Sequence, residues 1–243
     1  TFLDRMKKEG KIRRVGFSFH DGPRALPGIL KDYPWEFVQL QINYLEWEQG
    51  GAREIYEAAS KAGVPVIVME PLRGGALARL PEQSAAALKR ADRNATPASW
   101  ALRFAGSLPN VLVVLSGMSL PEHLEENIRT FSPLKPLSDA ERAALADSVR
   151  IRGVKDAIPC TACEYCLPCP VGIPIPKIFS AYNDAKVGRD FRRDFRKAYS
   201  AIPSEERADA CVKCGKCVKH CPQKIDVPKE LARIAKEWER ISA

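Results

Sequence analysis

Apolar positions in roughly the first 135 residues fall into two kinds of run, and the two kinds alternate. Short runs rich in β-branched residues read as four strands: Val15-Gly16-Phe17-Ser18-Phe19, Phe37-Val38-Gln39-Leu40-Gln41, Val64-Pro65-Val66-Ile67-Val68-Met69 and Val111-Leu112-Val113-Val114-Leu115. The stretches between them read as helices. Gly10 and Gly63 end two of these, and Thr96 caps a third with Pro97 in its first turn. Such alternation predicts βα units around a parallel sheet, an α/β fold. The apolar runs are expected to be buried on both faces, as parallel strands usually are.

Ser138 and Glu141 have the spacing of a capping box, and the helix they open runs to about Arg152 before Gly153 ends it. This divides the chain into residues 1–153 and 154–243. The second part reads as helical around its cysteines. It has a Pro-rich turn at Ile173-Pro174-Ile175-Pro176, a basic helix, a short helix after Ser204 and a final amphipathic helix from Val227 to Ile241. No low-complexity tract occurs, and the repeat that stands out is the cysteine motif itself.

With 243 residues and 45% hydrophobic content the chain has ample core-forming material. No run approaches the roughly 18 apolar residues of a membrane span. The start, Thr1-Phe2-Leu3-Asp4-Arg5, lacks the basic-then-apolar layout of a signal peptide, so a cytoplasmic location is expected. There is no initiator Met and the opening reads as the middle of a helix, which suggests a piece of a longer protein.

The net charge of +8 is concentrated in Lys186, Arg189, Arg192, Arg193, Arg196 and Lys197. A solvated helix face is the plain reading of such a run. Phe191, Phe195 and Tyr199 interleave with the charges, as base-stacking residues would, but their four-residue spacing is that of a buried stripe. No nucleic-acid partner is expected. A docking face for an acidic redox carrier over residues 186–197 is the livelier alternative, since complementary charge speeds encounter.

Cys211, Cys214, Cys217 and Cys221, followed by Pro222, fit C-x2-C-x2-C-x3-C-P, the pattern of two-cluster ferredoxins. Cys160, Cys163, Cys166 and Cys169, followed by Pro170, make a second copy with one residue fewer before the last cysteine. Three thiolates at this spacing wrap one iron–sulfur cube, and the fourth binds the other cube. The expected ligand sets for two [4Fe-4S] clusters are therefore Cys160, Cys163, Cys166 and Cys221, and Cys211, Cys214, Cys217 and Cys169. Zinc sites favour C-x2-C pairs separated by a loop, and a cytosolic chain keeps its thiols reduced, so zinc and disulfides are both disfavoured. The 41 residues between Cys169 and Cys211 exceed the linker of small ferredoxins, and the segment resembles the α-helical ferredoxin type.

Four further motifs carry a resemblance. Gly10-Lys11-Ile12-Arg13-Arg14-Val15-Gly16-Phe17-Ser18 comes first, then Val38-Gln39-Leu40-Gln41-Ile42-Asn43-Tyr44, then Met69-Glu70-Pro71-Leu72-Arg73-Gly74-Gly75, and last Ser116-Gly117-Met118 leading to Leu124-Glu125-Glu126-Asn127. In order and spacing the chain resembles the aldo-keto reductases, and within them the branch with a C-terminal ferredoxin tail. The resemblance implies the C-terminal half of a (β/α)8 TIM-type barrel, strands five to eight, followed by a mainly α-helical two-cluster domain. It also implies an active face at the C-terminal strand ends. Ser18 and Gln39 are implied to bind a nicotinamide carboxamide, Pro71, Leu72 and Gly74 to line a pyrophosphate, and Glu126 and Asn127 to contact adenine, with NAD or NADP as cofactor. Phe19 stands where the family usually has Asn, and Met69 where a stacking Tyr is often found. Gly117 and His123 align with the cations that clamp an NADP 2′-phosphate. His20 reads as an ordinary strand-end residue, and His123 and His220 show no partner constellation.

The family's catalytic Tyr, Lys, Asp and His come from strands one to four, which no stretch here matches, so no catalytic residue is assigned. An open half-barrel would also leave two bare parallel edges. The resemblance thus implies an oxidoreductase whose nicotinamide-dependent barrel acts on a small-molecule substrate and exchanges single electrons through the clusters. Hydride moves as an electron pair, so direct coupling asks for a further mediator. The alternative is a ferredoxin-like electron-transfer subunit whose barrel portion is a non-catalytic scaffold.

Overall fold

A computed structural model describes residues 1–152, 157–187 and 190–242. The expected helix stop at Gly153 and domain boundary at 153/154, and Arg189 of the basic run, lie outside them. The elements are α1 (Phe2–Lys8), β1 (Gly16–Ser18), α2 (Leu26–Asp32), β2 (Phe37–Gln41), α3 (Tyr44–Gln49), α4 (Ala52–Lys61), β3 (Val66–Met69), α5 (Glu82–Ala91), α6 (Pro97–Gly106), β4 (Val111–Val114), α7 (Pro121–Phe131), α8 (Asp139–Arg152), α9 (Ile175–Val187), α10 (Phe191–Ser200), α11 (Lys216–His220) and α12 (Val227–Ser242). The chain divides into two compact units, Thr1–Ile151 and Arg152–Ala243.

In the first unit the four strands form one parallel sheet in the order β1-β2-β3-β4. Helix starts follow local chemistry: the Thr96 hydroxyl accepts the Ser99 N–H at 3.1 Å with Pro97 opening α6, and Ser138 and Glu141 form the reciprocal box at α8. Glycine is required at position 16, where a Cβ would stand 2.5 Å from the Phe37 ring and carbonyl. The Glu36 carboxylate gathers Lys7 Nζ at 2.6 Å, Arg14 Nη1 at 2.8 Å and the Val15 N–H at 3.0 Å, which holds its pKa down to about 2 and ties α1 and β1 to β2.

Burial on both faces, expected from the apolar runs, is not what the sheet shows. Val38, Leu40, Val66 and Val68 are buried against a core containing Ala59, Trp100, Ala101 and Ala105, whereas Phe37, Gln39, Gln41, Ile67 and Met69 on the opposite face are only half-buried. Helices cover one face. Strand β4 departs further: Leu112 is 66% exposed and Val113 42%, next to exposed Leu115, Met118 and Leu120 and to Leu124 and Ile128 on α7. The β-branched composition of β4 fits a strand with neighbours on both sides, but β3 is its sheet neighbour among the described residues.

The second unit is helical. Ile175 and Pro176 open α9 rather than ending in a turn, because Pro is tolerated in a first helical turn. Ile175, Ile178, Phe179 and Tyr182 form its buried stripe, and Val227, Leu231 and Ile234 that of α12. The short helix expected after Ser204 is a pair of 3-10 turns, Ser204–Glu206 and Ala208–Ala210. On α10 the stripe of Phe191, Phe195 and Tyr199 turns inward. Phe195 and Tyr199 are fully buried, and Phe195 meets the rings of Tyr182 at 5.7 Å, Phe191 at 5.5 Å and Trp238 at 6.1 Å. No helix is long and apolar enough to cross a membrane among the described residues.

Candidate functional site

The two cysteine loops share one backbone plan. In each, the residue before the second cysteine and the residue after it have positive φ: Ala162 (56°) and Glu164 (63°) in the first loop, Lys213 (55°) and Gly215 (73°) in the second. Left-handed backbone costs about 1–3 kcal/mol at a non-glycine residue and persists where the surroundings enforce it. Here it turns three successive thiols toward one side of the loop.

The likeness continues past the last cysteines. Three residues beyond each, Gly172 (79°) and Lys224 (52°) are again left-handed and donate to the Cys169 and Cys221 carbonyls at 3.0 Å. A buried isoleucine follows, Ile173 or Ile225, and then a buried first residue of a long helix, Ile175 or Val227. The repeat therefore comprises a loop and a helix, not four cysteines alone. Its sequence signal is the likeness of Cys169-Pro170-Val171-Gly172-Ile173-Pro174-Ile175-Pro176-Lys177 to Cys221-Pro222-Gln223-Lys224-Ile225-Asp226-Val227-Pro228-Lys229.

Two cavities open between these copies. The first is lined by Cys160, Cys163 and Cys166 of the first loop and by Cys221 of the second, with Thr161, Phe179 and Ile225 among its walls. The second is lined by Cys211, Cys214 and Cys217 and by Cys169, with Cys166, which lines both, and Leu231. Asn183 fixes the approach to the first loop, accepting the Ile158 N–H at 2.9 Å and donating to its carbonyl at 2.8 Å. The Ala162 N–H points at Cys160 Sγ, 3.4 Å away. Burial, reinforced by the neighbouring Cys160, pushes the Cys166 thiol up to about 11, and burial raises Cys217 likewise. The sulfurs surround a space rather than a point. Among the described residues no three His, Cys, Asp or Glu side chains converge closely enough to share one ion. Thiols spread around a cavity fit a polynuclear iron–sulfur cube better than a single tetrahedral ion with sulfurs at about 2.3 Å.

Ser18 at the end of β1 and Gln39 in the middle of β2 lie on the half-buried sheet face rather than both at strand ends. Ser18 and Gln39 are register partners on β1 and β2, so their side chains emerge side by side, and Gln39 Nε2 donates to Met69 Sδ at 3.4 Å. Beyond β3 the chain turns through left-handed Glu70, Arg73, Gly74 and Gly75. Fully buried Asn43 holds this turn: its Oδ1 caps α3 at the Glu46 N–H, and its Nδ2 donates to the Glu70 carbonyl at 3.1 Å and to Glu46 Oε2 at 2.5 Å. Glu46 in turn pairs with Arg73 at 3.1 Å, both side chains largely buried. These two residues were not singled out from the sequence. Their only signal was their place three residues after Asn43 and after Glu70.

The Glu70 carboxylate accepts the Gly74 N–H at 2.6 Å. Burial, aided by the nearby Glu46 charge, raises its pKa. Residues 70–74 thus already contain an anion bonded to their own backbone donor. Pro71 and Leu72 sit in the same turn, Pro71 buried. Asn127 donates to Ser116 Oγ at 2.9 Å, and Glu126 accepts the Thr96 hydroxyl. A diphosphate meets a resident carboxylate.

Residues 1–150 match the aldo/keto reductase family, and residues 159–225 match the 4Fe-4S dicluster domain. Among solved structures the chain is similar to the aldo-keto reductase AKR11C1 from Bacillus halodurans in its holo form, 22% identical with a TM-score of 0.50 over 60% of this chain and 53% of that one. It is also similar to the thermostable aldo-keto reductase Tm1743 solved with the inhibitor epalrestat, 25% identical with a TM-score of 0.48 over 60% of this chain and 52% of that one. The first likeness speaks to fold alone. The chain spans about half the length of these relatives. No curated protein matches it.

Proposed function

Because the chain belongs to the aldo/keto reductase family through residues 1–150 and continues into a 4Fe-4S dicluster domain, we propose that it is an iron–sulfur oxidoreductase holding two [4Fe-4S] clusters with exchanged fourth ligands. The observation that carries this reading is the make-up of the two cavities, each lined by the first three thiols of one loop and the last thiol of the other, with Cys166 lining both. Cys160, Cys163, Cys166 and Cys221 would hold one cluster, and Cys211, Cys214, Cys217 and Cys169 the other. When bound, such clusters supply one-electron transfer. The left-handed loop residues aim the thiols, Ile175, Ile225 and Val227 line the cavities with apolar side chains, and Asn183 fixes the first loop's entry.

On the same reading the four-stranded sheet corresponds to strands five to eight of a (β/α)8 barrel, and its half-buried face is the nicotinamide side. The family's Tyr, Lys, Asp and His match no residues of this sequence, so carbonyl chemistry is not assigned to these residues. Iron and acid-labile sulfide analysis of the anaerobically reconstituted chain is expected to give about eight of each. Zinc in their place, or about four irons, would remove the two-cluster reading.

A second reading, an electron-transfer subunit whose α/β unit is a scaffold, is favoured by one observation: Glu70 occupies the Gly74 donor on which a dinucleotide diphosphate would draw. NADH and NADPH are expected to bind the wild-type chain weakly, because like charges are brought together in a half-buried site. Glu70→Ser removes the resident charge and is expected to tighten dinucleotide binding about tenfold, equivalent to roughly 1.4 kcal/mol. Fluorescence titration measures this. Tightening supports the nicotinamide reading, and no detectable binding by either protein leaves the scaffold reading.

A further inference from the structure

We propose that the face carrying Val212, Lys213, Cys214, Lys216, Val218 and Lys219 is an electron port that docks a small carrier protein through an acidic surface. The proposal rests on the two-cluster reading. It concerns the second cavity, three of whose thiols, Cys211, Cys214 and Cys217, alternate with these residues along the chain.

Three observations meet at this face. Cys214 is exposed, while the other seven cysteines are partly covered. Val212 is 63% exposed and Val218 37%, two apolar side chains facing solvent within one loop. Lys213, Lys216 and Lys219 are exposed, and no ion pair engages any of them among the described residues. From Cys211 to Ile225 the sequence contains no Asp or Glu. An apolar centre rimmed by unpaired lysines beside the cluster is built for an acidic partner: the charge steers encounter and the apolar contacts set the pose.

The neighbouring surfaces are less suited. From Ala157 to Pro176 the only charged residue is Glu164, so the first loop offers an acidic partner no attraction. The basic run over 186–197 lines neither cavity. Part of that run is also used internally: Lys186 lies over the Phe191 ring at 4.6 Å, Arg193 pairs with Asp194 at 3.0 Å, and Arg196 donates to the Ile241 carbonyl. The docking expected at 186–197 therefore moves to 212–219. An electron crossing there leaves one partner oxidised and the other reduced by one unit, with no bond made or broken and no proton carried.

The test uses the reconstituted full chain and a small acidic [2Fe-2S] ferredoxin as probe, with binding read by surface plasmon resonance at several salt concentrations. Wild type is expected to bind more weakly as salt rises. K213E/K216E/K219E is expected to lose at least tenfold in affinity together with most of the salt dependence. K216E/K219E, which leaves the lysine between Cys211 and Cys214 in place, is expected to lose severalfold. Carbodiimide cross-linking is expected to join the three lysines to carboxylates of the ferredoxin. Unchanged affinity in the triple variant, or an equal loss in R192E/R193E/K197E, would overturn the port. Iron and sulfide counts on the same preparations separate the two failures: low counts in wild type overturn the cluster reading, and full counts with lysine-independent binding overturn the port.

Discussion

Cys221→Ser is expected to empty the first cavity, not the second, although Cys221 belongs to the second motif. Each single cysteine variant should lose about four of the eight irons. The ligand exchange then becomes readable from pairs of variants, by the logic of double-mutant cycles. Cys163 and Cys221 line the same cavity, so C163S/C221S should retain about four irons, no fewer than either single variant. Cys211 and Cys221 lie in one motif but line different cavities, so C211S/C221S should retain almost none. The converse pattern, with C211S/C221S keeping four irons and C163S/C221S keeping none, would mean that each motif binds its own cluster. Iron counts on the two double variants decide between the two.

Phe195→Ala is expected to destabilise the helical unit by about 3–5 kcal/mol, the range for a large aromatic removed from a tight core. Phe195 is fully buried and is the ring on which α9, α10 and α12 meet through Tyr182, Phe191, Tyr199 and Trp238. Thermal melts of the iron-loaded chain, followed by helical circular dichroism and by the visible absorbance of the clusters, would show the loss in both signals. Arg192→Ala, on the exposed side of the same helix, should stay within about 0.5 kcal/mol of wild type. If the aromatic stripe instead served base stacking, Phe195→Ala would cost little stability, so the melt also tests whether these rings face inward in solution.

Much of this architecture could be read in the sequence, for identifiable reasons. Phe37–Gln41 forms the strand its alternation suggests, and Ser138 with Glu141 caps the helix that the capping pattern marks. These signals are local, and local chemistry decides them. Burial of the sheet on both faces does not follow from the apolar runs, because strand composition reports how well a residue tolerates cover, not whether a cover is present; Leu112 and Val113 look like core and are exposed. Pro174 and Pro176 suggested a turn, yet proline opens a helix as readily as it ends one. In the site, the cysteines were visible through spacing. The Glu46–Arg73 pair and the Glu70–Gly74 contact depend on side chains meeting across a turn, which no linear pattern encodes.

The loop-and-helix repeat has a consequence for how such a module could have arisen. In the proposed ligand sets each copy lends its last thiol to the other, the arrangement that a symmetric dimer would reach by exchanging a segment before being joined into a single chain. Such a history would make the separate copies poor starting points for further evolution, since a duplicated half brings three ligands and needs a stranger's fourth. The copies can still diverge where they do not serve each other. Glu164 and Tyr165 in one copy stand where Gly215 and Lys216 stand in the other, so the charge of the two loops differs while their cysteine spacing is shared.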